Sequence, residues 1–191
     1  MGYTGGTTKN PTYHLLGDHT ESVEVDYDPV RIGYARLLDV FWASHHPGDR
    51  PWTRQYRAVV FYHDEEQRRE AVASRDRVAE RIHGKVYTEI LPAGVFYPAE
   101  GYHQKYALRN YPDLEREFRA IYPKEGDFVA STAVARVNGY VAGDGSLAQL
   151  SKELWNLGLS PAAGRKLWEI ACRKADRRGS GAGTDSACPV R

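Results

Sequence analysis

Apolar and polar residues alternate through "SVEVDY" (22–27), with Val23, Val25 and Tyr27 set against polar neighbours. A period of two predicts a half-buried strand. Asp28-Pro29 ends it, because proline cannot continue a ladder. The period then lengthens: in "IGYARLLDVFWASHH" Ile32, Leu37, Leu38, Phe41 and Trp42 share one helical stripe. Two prolines and a glycine make 45–53 a loop, and "YRAVVFYH" (56–63) predicts a second strand. Asp64, with Gln67 three residues on, forms a capping box for a charged helix that Gly84 closes. "KVYTEI" (85–90) predicts a third strand and "LPAG" a turn. Strands alternating with helices imply an α/β chain, here an α+β two-layer sandwich.

From residue 112 the pattern is helical throughout, punctuated by proline and glycine, and Ser160-Pro161 reads as an N-cap followed by proline at the first helical position. The expected organisation is an α/β core over 1–111, an all-helical C-terminal extension over 112–178, and a flexible Gly/Ser-rich tail over 179–191.

Composition narrows the function. A net charge of +1 over 191 residues provides no field for nucleic acid or a membrane surface. No apolar run is long enough to span a bilayer, and "MGYTGGTTKN" lacks the apolar core of a signal peptide, so a cytoplasmic location is expected. Cys172 and Cys188 match no zinc spacing; Cys172, on an apolar helical stripe, reads as buried. His45 and His46 are adjacent, so their side chains diverge, and no metal is expected there.

Four strings carry a more specific signal when taken in order: "GYTGG" (2–6) with "NPTY" (10–13), "HTESVEVDYDP" (19–29), "RQYRAVVFYHDEEQ" (54–67) and "TEILPAGVFYPAEGYHQKY" (88–106). Together they resemble the peptide methionine-S-sulfoxide reductase, or MsrA, family. The resemblance implies a ferredoxin-like core and a thiol-dependent oxidoreductase. Such an enzyme reduces methionine S-sulfoxide, free or in proteins, in protein repair under oxidative stress. It needs no cofactor, and thioredoxin or another dithiol serves as reductant. It also implies that a glutamate and two tyrosines hold the sulfoxide oxygen, here matched to Glu21, Tyr3 and Tyr56. Fixed O–H donors and a proton source suit an S=O acceptor that becomes S–OH. Within the same resemblance His103 either lines the site or is a helix-start histidine. Trp52 and Asp49 lie in the loop before "QYR", where many members carry an aspartate and this chain has Pro51. Cys188 is either a recycling thiol or a free tail thiol.

The family's Gly-Cys-Phe-Trp-Gly motif, which bears the nucleophilic cysteine, precedes "GYTGG" and does not occur in this sequence. Two explanations stand: a start site placed too late, or a shortened homologue. Either way, the chain as written is expected to be inactive, with its core short of one strand and one helix. The alternative function is a non-catalytic methionine-sulfoxide-binding homologue or an interaction module.

Overall fold

The computed structural model describes residues 1–178 and is mixed α/β. It divides into two compact units, Met1–Glu100 and a second that begins at Gly101.

The first unit holds all the strands found among the described residues. β1 (Gly2–Thr4) lies between β2 (Thr20–Ser22) and β5 (Tyr97–Pro98), antiparallel to both. β3 (Val59–Tyr62) pairs in parallel with β4 (Glu89–Pro92). Two parallel strands need a long crossover, and helix α2 (Glu65–Ile82) supplies it. Helix α1 (Tyr34–Ala43) contributes Leu38 and Trp42 to a core with Val60 of β3 and Ala71 and Val78 of α2. The Trp42 indole N–H donates to Ser74 Oγ at 2.9 Å, which leaves that buried polar group satisfied. Tyr3, Leu16 and Ala99 form a second small core.

The alternating segment 22–27 departs from expectation. β2 stops at Ser22, and Val23 and Val25 are 68% and 57% exposed. Alternation identifies a face but not a partner; β2 has one, β1, and only over Thr20–Ser22. The second expected strand is shorter than its run, at Val59–Tyr62, and the third is displaced to Glu89–Pro92, so that Leu91 and Pro92 extend the strand where a turn was expected. Helix α2 starts as read, since the Asp64 carboxylate accepts from Gln67 N–H at 2.8 Å. The Gln67 side chain, however, reaches past the cap to accept from His63 N–H at 2.9 Å. The helix ends on His83, whose φ of 50° is left-handed, one residue before Gly84.

The second unit is helical: α3 (Tyr106–Arg109), α4 (Pro112–Ile121), α5 (Glu125–Ala130), α6 (Thr132–Ala142), α7 (Leu147–Glu153) and α8 (Pro161–Arg178). Ser131 separates α5 from α6: its backbone is extended, and its hydroxyl caps α6 by accepting from Val134 N–H. Leu108, Leu114, Phe118, Phe128, Val134, Val137, Leu150 and Leu167 interlock in its core with no exposed surface. Ser160 caps α8 and its own hydroxyl donates to Glu117 at 2.5 Å. Cys172 is 4% exposed on α8. Among the described residues no helix is long and apolar enough to cross a membrane.

Candidate functional site

The site grows from the turn that leaves β1. Gly5 has a φ of +78°, and a Cβ there would lie 2.6 Å from the Phe61 ring. Only glycine turns the chain so close to that ring. The loop that follows is tied back to the residues before β2. The Asp18 carboxylate accepts from the N–H groups of Thr7 and Thr8 and from both of their hydroxyls, at 2.8–3.0 Å. Those bonds hold its carboxyl well below the ordinary carboxylate range. His19, 1% exposed, receives Gly6 N–H on Nδ1 at 3.3 Å and bonds the Thr8 carbonyl through Nε2 at 2.7 Å. Its ring is therefore the Nε2–H tautomer.

Two residues beyond His19, Glu21 stands opposite Tyr3 in the antiparallel register. The "QYR" segment docks against it twice. Glu21 N–H donates to the Gln55 carbonyl at 3.3 Å, and Gln55 Nε2 donates to Glu21 Oε1 at 2.6 Å. Tyr56 follows, half exposed, with its ring stacked on Trp52 at 5.2 Å between centroids and 24° between planes. Desolvation, the neighbouring Tyr13 and Glu21 charges, and a hydrogen bond with the Tyr13 side chain all raise its pKa above the ordinary phenol value. Arg57 fixes this segment from behind: its Nε donates to Thr20 Oγ1 at 2.9 Å and its Nη1 to the Glu89 carboxylate at 3.0 and 3.1 Å. One guanidinium thus links the two sheets.

Gln55 joins Glu21 to the segment that bears Tyr56, and Trp52 stacks on Tyr56. Tyr3, opposite Glu21 in the register, is 1% exposed, and its hydroxyl donates to Glu100 Oε2 at 2.7 Å. The phenol beside Tyr56 is Tyr13, the last residue of "NPTY", which sequence reasoning passed over. Glu100 Oε1 accepts the Tyr13 backbone N–H at 3.0 Å, so the carboxylate that holds Tyr3 also anchors the loop bearing Tyr13. The missed signal was topological. β1 is paired on both edges, and the Tyr3 ring is buried against Leu16 and Ala99. Asp49 is exposed in a turn; among the described residues no hydrogen bond or ion pair joins its carboxylate to this cluster. His103 belongs to the second unit, in the 3₁₀ turn Gly101–His103, beside Tyr102. Cys188 lies outside the described residues.

A groove of about 900 Å³ opens from Glu21 and Thr20 along Leu38, Phe41, Val60 and Phe96. Two polar atoms of residues that line it, Tyr34 Oη and Arg57 Nη2, are buried and without a hydrogen-bond partner among the described residues. No three acidic, histidine or cysteine side chains among the described residues are grouped as metal ligands. The chemistry on offer is a carboxyl beside two phenols, with an aromatic wall.

Comparison with known proteins gives this cluster its setting. Residues 1–135 match the family model described as peptide methionine sulfoxide reductase. The chain belongs to that family. A peptide methionine sulfoxide reductase of Drosophila melanogaster is 43% identical over 165 residues, covering 84% of this chain and 65% of the relative. The MsrA protein of Methanothermobacter thermautotrophicus is 48% identical over 121 residues, 58% of this chain and 72% of the relative. The A5 protein of Arabidopsis thaliana is 42% identical over 149 residues, 74% of this chain and 57% of the relative. The chain therefore spans less than two thirds of the Drosophila and Arabidopsis proteins.

Proposed function

We propose that Glu21, Tyr56 and Tyr13 form the sulfoxide-oxygen site of a peptide-methionine (S)-S-oxide reductase. The observation that carries this is the convergence of three segments. Glu21 is bonded to Gln55, and the next residue, Tyr56, is hydrogen-bonded to Tyr13. A sulfoxide oxygen is a strong acceptor, and phenol O–H groups set beside a carboxyl can grip it and protonate it as the S–O bond breaks. Tyr13 takes the role first matched to Tyr3, whose own hydroxyl serves Glu100. Trp52 lines the site; Asp49 and His103 are left without a role in oxygen binding. The two-layer, ferredoxin-like arrangement of the family is the framework into which the packing of α1 and α2 on β3 fits.

In the family reaction a thiolate attacks the sulfoxide sulfur and is left as a sulfenic acid, while the sulfoxide becomes a thioether. Thioredoxin or another dithiol then reduces the sulfenic acid, and Cys188 is a candidate relay for that step. No Gly-Cys-Phe-Trp-Gly sequence occurs among the 191 residues, so the attacking thiolate is not one of the groups described above. The 191-residue polypeptide accordingly binds methionine S-sulfoxide without reducing it. The test is an assay of methionine S-sulfoxide reduction with dithiothreitol. No turnover is expected; turnover that Cys188→Ser abolishes would overturn this assignment.

A further inference from the structure

We infer that Trp52 is a specificity-determining residue: its open indole face takes an aromatic side chain flanking the oxidised methionine of an extended peptide. This rests on the sulfoxide reading of Glu21, Tyr56 and Tyr13 and adds to it which peptides the site prefers.

The placement of the ring sets Trp52 apart from a packing tryptophan. Trp42, which does pack, is 8% exposed and donates its N–H to Ser74. Trp52 is 81% exposed, and among the described residues no hydrogen bond engages its indole N–H. One face of the indole lies on Tyr56, so the ring is held by stacking while its other face meets solvent. Exposing so much apolar area is unfavourable unless something covers it in use. The neighbours indicate what. Tyr56 and Tyr13 are themselves 47% and 38% exposed, so the three rings make one aromatic surface beside the Glu21 carboxyl.

Geometry connects this surface to a peptide. An extended chain advances about 3.3 Å per residue. A residue within two positions of the oxidised methionine therefore spans the 5.2 Å step from the Tyr56 ring to the indole. Offset or edge-to-face aromatic contacts are the favoured arrangements there. A free methionine sulfoxide has no such neighbour and leaves the indole uncovered.

The experiment is a calorimetric titration of the full chain with two peptides. In one the methionine S-sulfoxide is flanked by phenylalanines, in the other by glycines. The phenylalanine peptide is expected to bind about three- to tenfold tighter. Trp52→Ala should bring it down to the affinity of the glycine peptide, and Trp52→Phe should restore part of the preference. Glu21→Gln should weaken both peptides and keep their ratio. Equal affinities in the unaltered chain, or a ratio that survives Trp52→Ala, would overturn the role of Trp52 alone. Failure of both peptides to bind, or binding indifferent to Glu21→Gln, would overturn the sulfoxide site and this inference with it.

Discussion

Tyr3 and Tyr13 are joined through one carboxylate: the Tyr3 hydroxyl donates to Glu100 Oε2 at 2.7 Å, and the Tyr13 backbone N–H donates to Oε1 at 3.0 Å. The buried phenol thereby sets the loop that carries the half-exposed one. The division of labour follows from burial. We propose that Tyr3 holds structure and that Tyr13 meets the ligand.

The two variants should part accordingly. Tyr13→Phe is expected to weaken binding of a methionine S-sulfoxide peptide about tenfold, the worth of one hydrogen bond to a strong acceptor, with little change in stability. Tyr3→Phe leaves Glu100 short of a buried donor and should cost about 1–2 kcal/mol of stability, with a smaller loss of binding. Urea unfolding and calorimetric titration of both variants check this. The reverse pattern would return the oxygen site to Tyr3.

Arg57 makes a second test of how the site is held. Its side chain is 9% exposed, while that of its partner Glu89 is 44% exposed. Water reaches the carboxylate, so the pair contributes less than a fully buried one. Arg57→Lys keeps the charge but loses the fork that reaches Thr20 and Glu89 together. A loss of about 2 kcal/mol in urea unfolding is expected. Because Thr20 precedes Glu21, sulfoxide affinity should fall in the same variant. Unchanged stability would show that the guanidinium bridge is not what ties β2 to β4.

Tyr34 predicts a pH dependence. Its hydroxyl is buried with no hydrogen-bond partner among the described residues. Burial first, then Tyr27, Glu70 and Asp64, push its pKa from 10.0 up to about 12. The unfolded phenol ionises before the folded one does. Stability that is intact below pH 10.0 therefore declines as the pH rises towards about 12. Tyr34→Phe should remove that alkaline decline, and at neutral pH should be neutral or slightly stabilising, since no bond is lost. Thermal midpoints of the two proteins, followed from neutral to alkaline pH, decide it. Parallel declines would place the alkaline loss elsewhere.

Much of the helical structure is legible in local chemistry. Asp64 and Ser160 announce the starts of α2 and α8, and the stripe containing Leu38 and Trp42 is the buried face of α1. These signals lie within a few residues of what they specify. What failed was non-local. Val23 and Val25 alternate as a strand should, yet pairing needs a neighbour the alternation does not name. His83 rather than Gly84 takes the left-handed conformation that ends α2. The site divides along the same line. Glu21 and Tyr56 sit in distinctive strings and meet through Gln55. Tyr13 sits in a loop whose path depends on Asp18, His19 and Glu100, up to 87 residues away, so its place beside Tyr56 could not be read from neighbouring residues.

The most direct measurement is a calorimetric comparison of N-acetyl-methionine S-sulfoxide amide with the matching thioether, N-acetyl-methionine amide. The two differ by the oxygen that Glu21, Tyr56 and Tyr13 are assigned to hold. The account predicts saturable sulfoxide binding at least about tenfold tighter than thioether binding, with the difference removed by Glu21→Gln. Equal affinity for the two compounds, or a preference that persists in Glu21→Gln, would contradict it.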